Sequence, residues 1–216
     1  LNTLNGKVPG TVTVTAAVTL TGSASAVAAS ASADNAGTLA LAANFGATVS
    51  AGAVDAADLI TIYGQTSATI NATAATGING SAANVHTVID HAQVNHDTNF
   101  TVTISGTSAA AADLKAIDAI TSGIITATGV ETITGSLTDV GDVVDVDTNK
   151  GTAGQQIDID TDFNVTLSDT GNMSASALNT LNGKVPGTVT VTAAVTLTGS
   201  ASAVAASASA DNAGTL

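Results

Sequence analysis

Residues 1–39 read LNTLNGKVPGTVTVTAAVTLTGSASAVAASASADNAGTL, and the same letters return without change as residues 178–216. The chain therefore spans one long period, residues 1–177, and the start of another. Repetition at a fixed distance is typical of repeat architectures. The length alone would suggest one or two ordinary domains, but the repetition is stronger evidence than the length.

A shorter repeat lies inside the long period. Its units begin at four leucines that stand at similar intervals along the chain: Leu1, Leu59, Leu114 and Leu178. A Gly-Ser pair follows each of these leucines at one constant distance: Gly22-Ser23, Gly80-Ser81, Gly135-Ser136 and Gly199-Ser200. We therefore divide the chain into three diverged units and the start of the next period: 1–58, 59–113, 114–177 and 178–216.

Strands are predicted where apolar and polar residues alternate. Phe100, Val102 and Ile104 alternate with threonines, which predicts a half-buried strand. Residues 11–21 (TVTVTAAVTLT) show the same alternation, with valines and a leucine on one face and threonines on the other. Both segments therefore place one face in a core and one in solvent.

Helices are predicted between these strands. Residues 110–120 (AAADLKAIDAI) have helical spacing, with Ser108 as the expected N-cap and Gly123 as the expected stop. Residues 81–89 predict a second short helix, and residues 136–139 (SLTD) resemble a capping box. The unit is therefore strand, short helix, strand, short helix.

A unit of about 59 residues in this order cannot close a hydrophobic core alone, so its apolar edges must pack on neighbouring units. The sequence therefore predicts a β-rich α/β solenoid whose units stack in one dimension. The alternative is a series of tandem β-sandwich domains, although each of these needs about 100 residues and seven strands.

Composition excludes several function classes. The chain carries 17 acidic residues against four lysines, which gives a net charge of −13, so nucleic-acid binding is not expected. No apolar run is long enough for a membrane-spanning helix, so membrane insertion is not expected either. Only 2% of the residues are aromatic, Cys, Arg and Trp are absent, and no catalytic motif is present. We therefore expect the protein not to be an enzyme.

Residues 112–140 (ADLKAIDAITSGIITATGVETITGSLTDV) resemble a repeat of giant bacterial surface proteins, in which a DLNxIDA…GxVTA…VTTLTG pattern recurs. The first unit contributes LNTLNGKVPGTVTV and TLTGS to this resemblance, and the second contributes DLITIYGQTSATI and INGS. The resemblance implies an exported, extracellular or cell-surface protein with a role in surface layers, filaments, adhesion or motility. It supplies no catalytic residues.

The strongest candidate site is acidic. Carboxylate and amide oxygens alternate along two nearby segments, as they do in Ca²⁺-binding loops: Asp145, Asp147 and Asn149, and then Asp158, Asp160 and Asp162. Acids at alternate positions of adjacent strands would repel one another, and a bound Ca²⁺ would remove that cost. A solvated acidic face is the alternative interpretation.

Other polar groups are weaker candidates. The three histidines stand five residues apart, a spacing that does not suit a helical metal pair, and surface positions are expected for them: His86, His91 and His96. Rows of exposed threonines allow an ice-binding surface, although the row is irregular in the second and third units. Five sequons permit glycosylation in an exported protein: Asn71, Asn79, Asn99, Asn164 and Asn172.

These observations together predict a structural segment of a giant exported tandem-repeat protein. Such a segment would form an extracellular filament, stalk or surface layer through self-association of neighbouring repeats or chains. The alternative is the extender region of a calcium-dependent cell-surface adhesin. Ice binding and a polysaccharide-acting solenoid rank below both.

Overall fold

The computed structural model describes residues 1–148 and 156–216, and the chain divides into two compact units, Leu1–Thr103 and Ile104–Leu216. Helices and short strands alternate in both units. The strands pair in parallel. Parallel neighbours need a crossover connection, and the helices between the strands supply it. The α/β character and the strand–helix alternation expected from the sequence are therefore confirmed.

The first unit begins with a short helix that belongs to the duplicated segment. Its helices are α1 (Asn2–Asn5), α2 (Ala24–Asn35), α3 (Ala56–Tyr63) and α4 (Ala82–Ile89). Its strands are β1 (Val12–Thr13), β2 (Thr19–Gly22), β3 (Leu39–Ala40), β4 (Gly46–Val49), β5 (Gly52–Asp55), β6 (Ile70–Asn71), β7 (Ala75–Gly80), β8 (Val94–Asn95) and β9 (Thr101–Ile104), within which the division between the units falls.

Parallel pairing in the first unit recurs at nearly equal intervals along the chain. One sheet has the order β2-β4-β6-β8, another contains β5, β7 and β9 side by side, and β1 pairs with β3. In the first of these sheets Leu20 lies opposite Ala47, Ala47 opposite Ile70, and Ile70 opposite Val94. Paired strands of this sheet are thus separated by similar numbers of residues.

The second unit is built in the same way. Its helices are α5 (Ala111–Asp118), α6 (Leu137–Thr148), α7 (Ala175–Asn182) and α8 (Ala201–Asn212). Its other strands are β10 (Ser108–Ala110), β11 (Ile125–Ala127), β12 (Thr132–Gly135), β13 (Ile157–Ile159), β14 (Asn164–Leu167), β15 (Gly171–Ser174), β16 (Val189–Val191) and β17 (Val195–Thr198).

In the second unit, one pair of neighbouring strands is separated by a longer segment of chain than the others. Its sheets have the order β10-β12-β14-β16, with β11 beside β13 and β15 beside β17. Ala109 pairs with Ile133 and Val165 with Val189 at equal distances along the chain, whereas the step from Ile133 to its partner Val165 is longer. This longer step contains α6 and lies between Leu114 and Leu178, where the sequence repeat has its widest spacing.

We define a coil as one helix together with the strands between it and the next helix. In the described residues, two strands follow α1, α3, α5 and α7, whereas three strands follow α2, α4 and α6. Two successive coils therefore correspond to one unit of the sequence repeat. The segment 11–21, predicted as one strand, forms β1 and the first part of β2, which lie in different sheets. The alternation of its faces is confirmed, since Val12 and Leu20 are half-buried while Thr13 and Thr21 are exposed.

The Gly-Ser pair ends a strand and begins a helix. The serine is the N-cap, and the side chains of Ser23, Ser81 and Ser200 each accept a hydrogen bond from the backbone N–H three residues later. The preceding Gly80 and Gly135 both have a φ of +150°, and a Cβ at either position would lie 3.2 or 3.3 Å from an alanine Cβ. At these two positions, close approach and backbone conformation both favour glycine.

The core of each unit consists of aliphatic side chains with a few aromatic ones. All three phenylalanines of the chain are buried, and each stands directly before a strand: Phe45, Phe100 and Phe163. Many of the other buried positions hold small or β-branched residues, namely Ala, Val and Ile. Thin layers of this kind suit a repeated coil better than one large globular core.

Three local predictions are confirmed, two are wrong, and the alternative architecture does not fit. The strand at Phe100–Ile104, the helix at 81–89 and the helix within 110–120 are all present. Ser108 is not the cap of α5, because it lies in β10 and the N-cap position is taken by Ala110 without a side-chain hydrogen bond. Gly123 does not stop this helix, which ends at Asp118. Tandem β-sandwich domains are excluded as well, since those have antiparallel sheets.

Candidate functional site

The first row of acidic candidates does not form an extended loop where the structure describes it. Asp145 and Asp147 both lie in α6, so the strand-like alternation expected of them is wrong. Asp145 forms an ion pair with Lys184, and the Asp147 carboxylate accepts a hydrogen bond of 2.8 Å from the backbone N–H of Ile159. Asn149 lies outside the described residues. Both helical carboxylates therefore serve contacts within the fold.

The second acidic row does alternate as expected. Ile157 and Ile159 of β13 are buried, while Asp158 and Asp160 between and after them are half-buried and Asp162 is exposed. Residues 1–148 and 156–216 contain no group of three side chains placed to hold a metal ion. Calcium binding stays a prediction, which thermal melting with and without EDTA tests: an unchanged midpoint would contradict it.

Lys115 joins two successive helices of the second unit. Its Nζ atom lies 2.6 Å from Asp139 and 2.8 Å from Asp142 of α6. The hydrogen bond to Lys115 lowers the pKa of Asp139, and the reciprocal hydrogen bonds raise the pKa of Lys115. Side chains that are about one third exposed gain little from such a pair, so the cluster links helices rather than creating a reactive amine.

A groove of about 520 Å³ lies between α6 and α7. Its apolar floor includes Leu137, Met173 and Leu181, and its rim carries Asp142 and the Lys184–Asp145 ion pair. The groove is open to solvent. It marks the place where a two-strand coil packs on the coil before it.

Two of the histidines have packing roles, and the expectation that all three are surface residues is only partly right. All three are half-buried. The His91 ring stacks on Tyr63 with centroids 3.9 Å apart, and the His96 ring meets Phe100 edge-on at 5.2 Å. His96 Nε2 lies 3.0 Å from the carbonyl oxygen of Ile89. These contacts hold the turn after α4 against its neighbours.

Polar outer faces of the sheets bear the remaining candidates. Thr11, Thr13 and Thr15 are exposed, but the row that crosses the sheet from Thr21 continues through asparagines, so it is not a uniform threonine surface. Four of the five sequon asparagines are exposed and one is half-buried: Asn71, Asn99, Asn164 and Asn172, and then Asn79. Neither ice binding nor glycosylation gains further support from this arrangement.

The two copies of the duplicated segment make the same internal contacts. In the first copy the Asn2 side chain donates to the carbonyl oxygen of Ala26 at 2.8 Å and accepts from Ser30 at 2.6 Å. In the second copy Asn179 makes the same two bonds, to Ala203 at 2.9 Å and from Ser207 at 2.7 Å. This asparagine therefore ties the first helix of the segment to the second. It is not among the predicted site residues, although it directly follows the anchor leucine in both copies.

The two copies differ in the coil that precedes them. The exposed fraction of Leu1 is 45% and that of Leu4 is 54%, whereas their counterparts Leu178 and Leu181 are 1% and 3% exposed. Val8 is likewise exposed while Val185 is buried. In the second copy α7 contacts α6 and β15, and Val189 pairs with Val165 of β14. We call the surface formed by Leu1, Leu4 and Val8 the leading face.

The two copies also differ in the coil on their other side. In α2, Ala24, Ala28 and Ala31 are buried, and α2 packs against α3. The three counterparts in α8 are all exposed, and we call them the trailing face: Ala201, Ala205 and Ala208. The sequence could not reveal either face, because both copies have the same letters. Burial here is set by the neighbouring coil.

Comparison with known proteins does not assign the chain to a family. No family model, no curated protein and no solved structure matches it. Among the described residues, none of the helices has the length and apolar character that crossing a membrane would require. The function must therefore be argued from the coils themselves.

Proposed function

We propose that this chain is a structural segment of an exported tandem-repeat protein, in which coils stack as a solenoid and build a filament, stalk or surface layer. The observation that carries the proposal is the pair of identical segments with different burial. The leading face is open in one copy and covered in the other, and the trailing face has the reverse pattern. An array in which identical periods follow one another would cover both faces at every internal junction.

The parallel pairing supports this proposal. Strands in each unit pair with partners at similar distances along the chain, apart from the longer coil that contains α6. Successive helices also contact each other, as α2 does α3 and α7 does α8. Contacts between nearest neighbours are the basis of solenoid stability. A protein with such a fold becomes longer by adding coils rather than by enlarging one core.

The charged contacts of the described residues support a structural role. The charged clusters in the described residues, Lys115 with two aspartates and Lys184 with Asp145, join neighbouring helices. The groove between α6 and α7 is open and rests on the same coil-to-coil contact. Calcium-dependent adhesin extenders would use the same stacked coils, so the EDTA experiment separates the two proposals.

Small-angle X-ray scattering of chains with one, two and three complete periods tests the proposal. We expect the maximum dimension to increase by an equal amount with each added period, because each period adds coils in one direction. A maximum dimension that grows with the cube root of chain length would contradict stacking. Electron microscopy of the same chains provides a second readout, as fibres or lattices are expected for long arrays.

A further inference from the structure

His96 lies in the turn after α4, and both nitrogens of its ring face backbone carbonyl oxygens. Nε2 lies 3.0 Å from the carbonyl oxygen of Ile89, and Nδ1 lies 2.7 Å from that of Asp97. A carbonyl oxygen can only accept a hydrogen bond, whereas a neutral imidazole ring has one N–H donor and one acceptor nitrogen. Only the doubly protonated ring can donate to both oxygens, so this geometry favours the imidazolium form.

The position of Ile89 gives a second reason for a positive charge on this ring. Ile89 is the last residue of α4, and the last carbonyl groups of a helix have no partner within the helix. The helix dipole also places partial negative charge at this end, which favours a cation there. Residues 8–114 contain no lysine or arginine, so a histidine is the only side chain of this region that can carry positive charge.

His91 lies in the same turn and has the opposite requirement. Its Nδ1 accepts a hydrogen bond of 3.3 Å from the backbone N–H of Gln93, so this nitrogen must be without a proton. The His91 ring also stacks on Tyr63, with centroids 3.9 Å apart. The turn therefore contains two histidines five residues apart, one suited to the charged form and one to the neutral form.

The other titratable groups on the segments that contact His96 are two acids and a histidine. Asp90 is the C-cap of α4, Asp97 directly follows His96, and His86 lies in the last turn of α4. Phe100, whose ring meets the His96 ring edge-on, leads into β9, which carries no charge. The strand β8 before His96 and its partner β6 carry none either. The two carboxylates favour a positive charge in this turn.

We propose that the turn after α4 is a pH-sensitive joint, in which protonated His96 ties the end of α4 to the segment that leads into β9. Loss of one ring proton leaves a nitrogen lone pair facing a carbonyl oxygen, which removes a hydrogen bond and adds repulsion. The stabilisation is therefore present at acidic pH and is lost as the pH rises through the range in which histidines titrate.

The joint belongs to one part of the repeat. All three histidines lie in the unit 59–113, so the units 1–58 and 114–177 cannot respond to pH in this way. The joint goes beyond the proposed function, because it sets the stability of one coil whether or not the coils build a filament, stalk or layer.

NMR spectroscopy of the 216-residue chain, labelled with ¹⁵N at histidine, tests the protonation states directly. At about pH 6.5, a histidine in an unfolded peptide carries equal amounts of its two forms. At this pH we expect the His96 ring to have protons on both nitrogens and the His91 ring to have one proton, and single substitutions assign the signals. Equal populations in the two rings, or the opposite order, would overturn the proposal.

Chemical denaturation of two variants at about pH 5 and about pH 9 tests the consequence for stability. His96→Gln should raise the equilibrium constant of unfolding roughly 5-fold at the lower pH and less than about 2-fold at the higher pH, because glutamine cannot carry the charge. Circular dichroism checks that the variant is folded. A loss that is the same at both pH values would mean that the ring only packs on Phe100, and it would overturn the joint.

His91→Gln is the matched control from the same turn. The neutral His91 ring accepts the hydrogen bond from Gln93, so its contribution is present at high pH and lost on acidification. The loss caused by His91→Gln should therefore be larger at the higher pH, opposite to that of His96→Gln. A change in net charge alone would give both variants the same pH dependence, and that result would contradict the proposal.

Discussion

Residues 1–39 and residues 178–216 have the same sequence and the same internal contacts, yet they are buried in opposite patterns. The first copy is covered on the side of α2 that meets α3 and exposed at Leu1 and Leu4. The second copy is covered at Leu178 and Leu181 and exposed along α8. These positions are thus buried by a neighbouring coil, the preceding one for Leu178 and Leu181 and the following one for α2. Stability therefore comes from the junctions between coils.

The largest difference between the copies is expected at the anchor leucines. Leu181→Ala removes a buried side chain and should lower the free energy of unfolding by about 2 to 4 kcal/mol, because a cavity remains beside α6. Leu4→Ala makes the identical change at an exposed position and should cost less than about 0.5 kcal/mol. Urea denaturation followed by circular dichroism measures both. Equal losses would contradict the difference in burial.

Enlarging an alanine should produce the reverse asymmetry. Ala31→Leu overpacks the buried contact between α2 and α3 and is expected to cost about 1 to 3 kcal/mol. Ala208→Leu places the same side chain on the trailing face and should change stability by less than about 0.5 kcal/mol. The same denaturation experiment measures this pair. A larger loss at Ala208 than at Ala31 would reverse the assignment of the two faces.

The shared internal contacts should not distinguish the copies. Asn2→Ala and Asn179→Ala each remove two hydrogen bonds between consecutive helices and should each cost about 1 kcal/mol. Guanidinium denaturation at low protein concentration, where the molecules do not associate, provides the measurement. Unequal losses would show that α1 and α7 do not hold their following helices in the same way.

In the repeat unit 114–177, a charged cluster takes the place of this asparagine link, because Lys115 follows the anchor Leu114 and pairs with Asp139 and Asp142. Because Lys115 lowers the folded-state pKa of Asp139, the stabilisation is present above the ordinary pKa of an aspartate and is lost as the pH falls through the lowered value. Lys115→Met should therefore reduce stability at pH 7 by about 0.5 kcal/mol and have almost no effect near pH 2. Denaturation at these two pH values checks the sign. An effect that grows on acidification would contradict it.

Parts of the fold that carry strong local signals can be predicted from the sequence. The Gly-Ser pair marks a strand end and a serine cap, and both depend on the letters themselves: a missing Cβ and a short hydroxyl side chain. The alternation at Phe100–Ile104 and the helix after Ser81 are predictable for similar reasons. Local chemistry therefore identifies the elements and the number of helices in a unit.

The coil and the two faces cannot be predicted in this way. Strands such as β6 and β8 contain two residues each, too few to show alternation. The acids at 145–147 alternate with period two and so resemble a strand, but α6 continues through them. Their carboxylates are paired with Lys184 and with the backbone N–H of Ile159, which lie far along the chain. The alanine-rich α2 and α8 have no apolar stripe, so the helix that packs on them decides which side is buried.

Cysteine accessibility in an extended chain tests whether the next period covers the trailing face. The chain contains no native cysteine, so single variants react cleanly with a thiol reagent. In the 216-residue chain at low concentration Ala208→Cys should react at least roughly 100-fold faster than Ala31→Cys, because α3 covers the latter. When residues 40–177 are appended after Leu216, we predict that Ala208→Cys reacts as slowly as Ala31→Cys. Undiminished reaction of Ala208→Cys in the extended chain would contradict the stacking of successive periods.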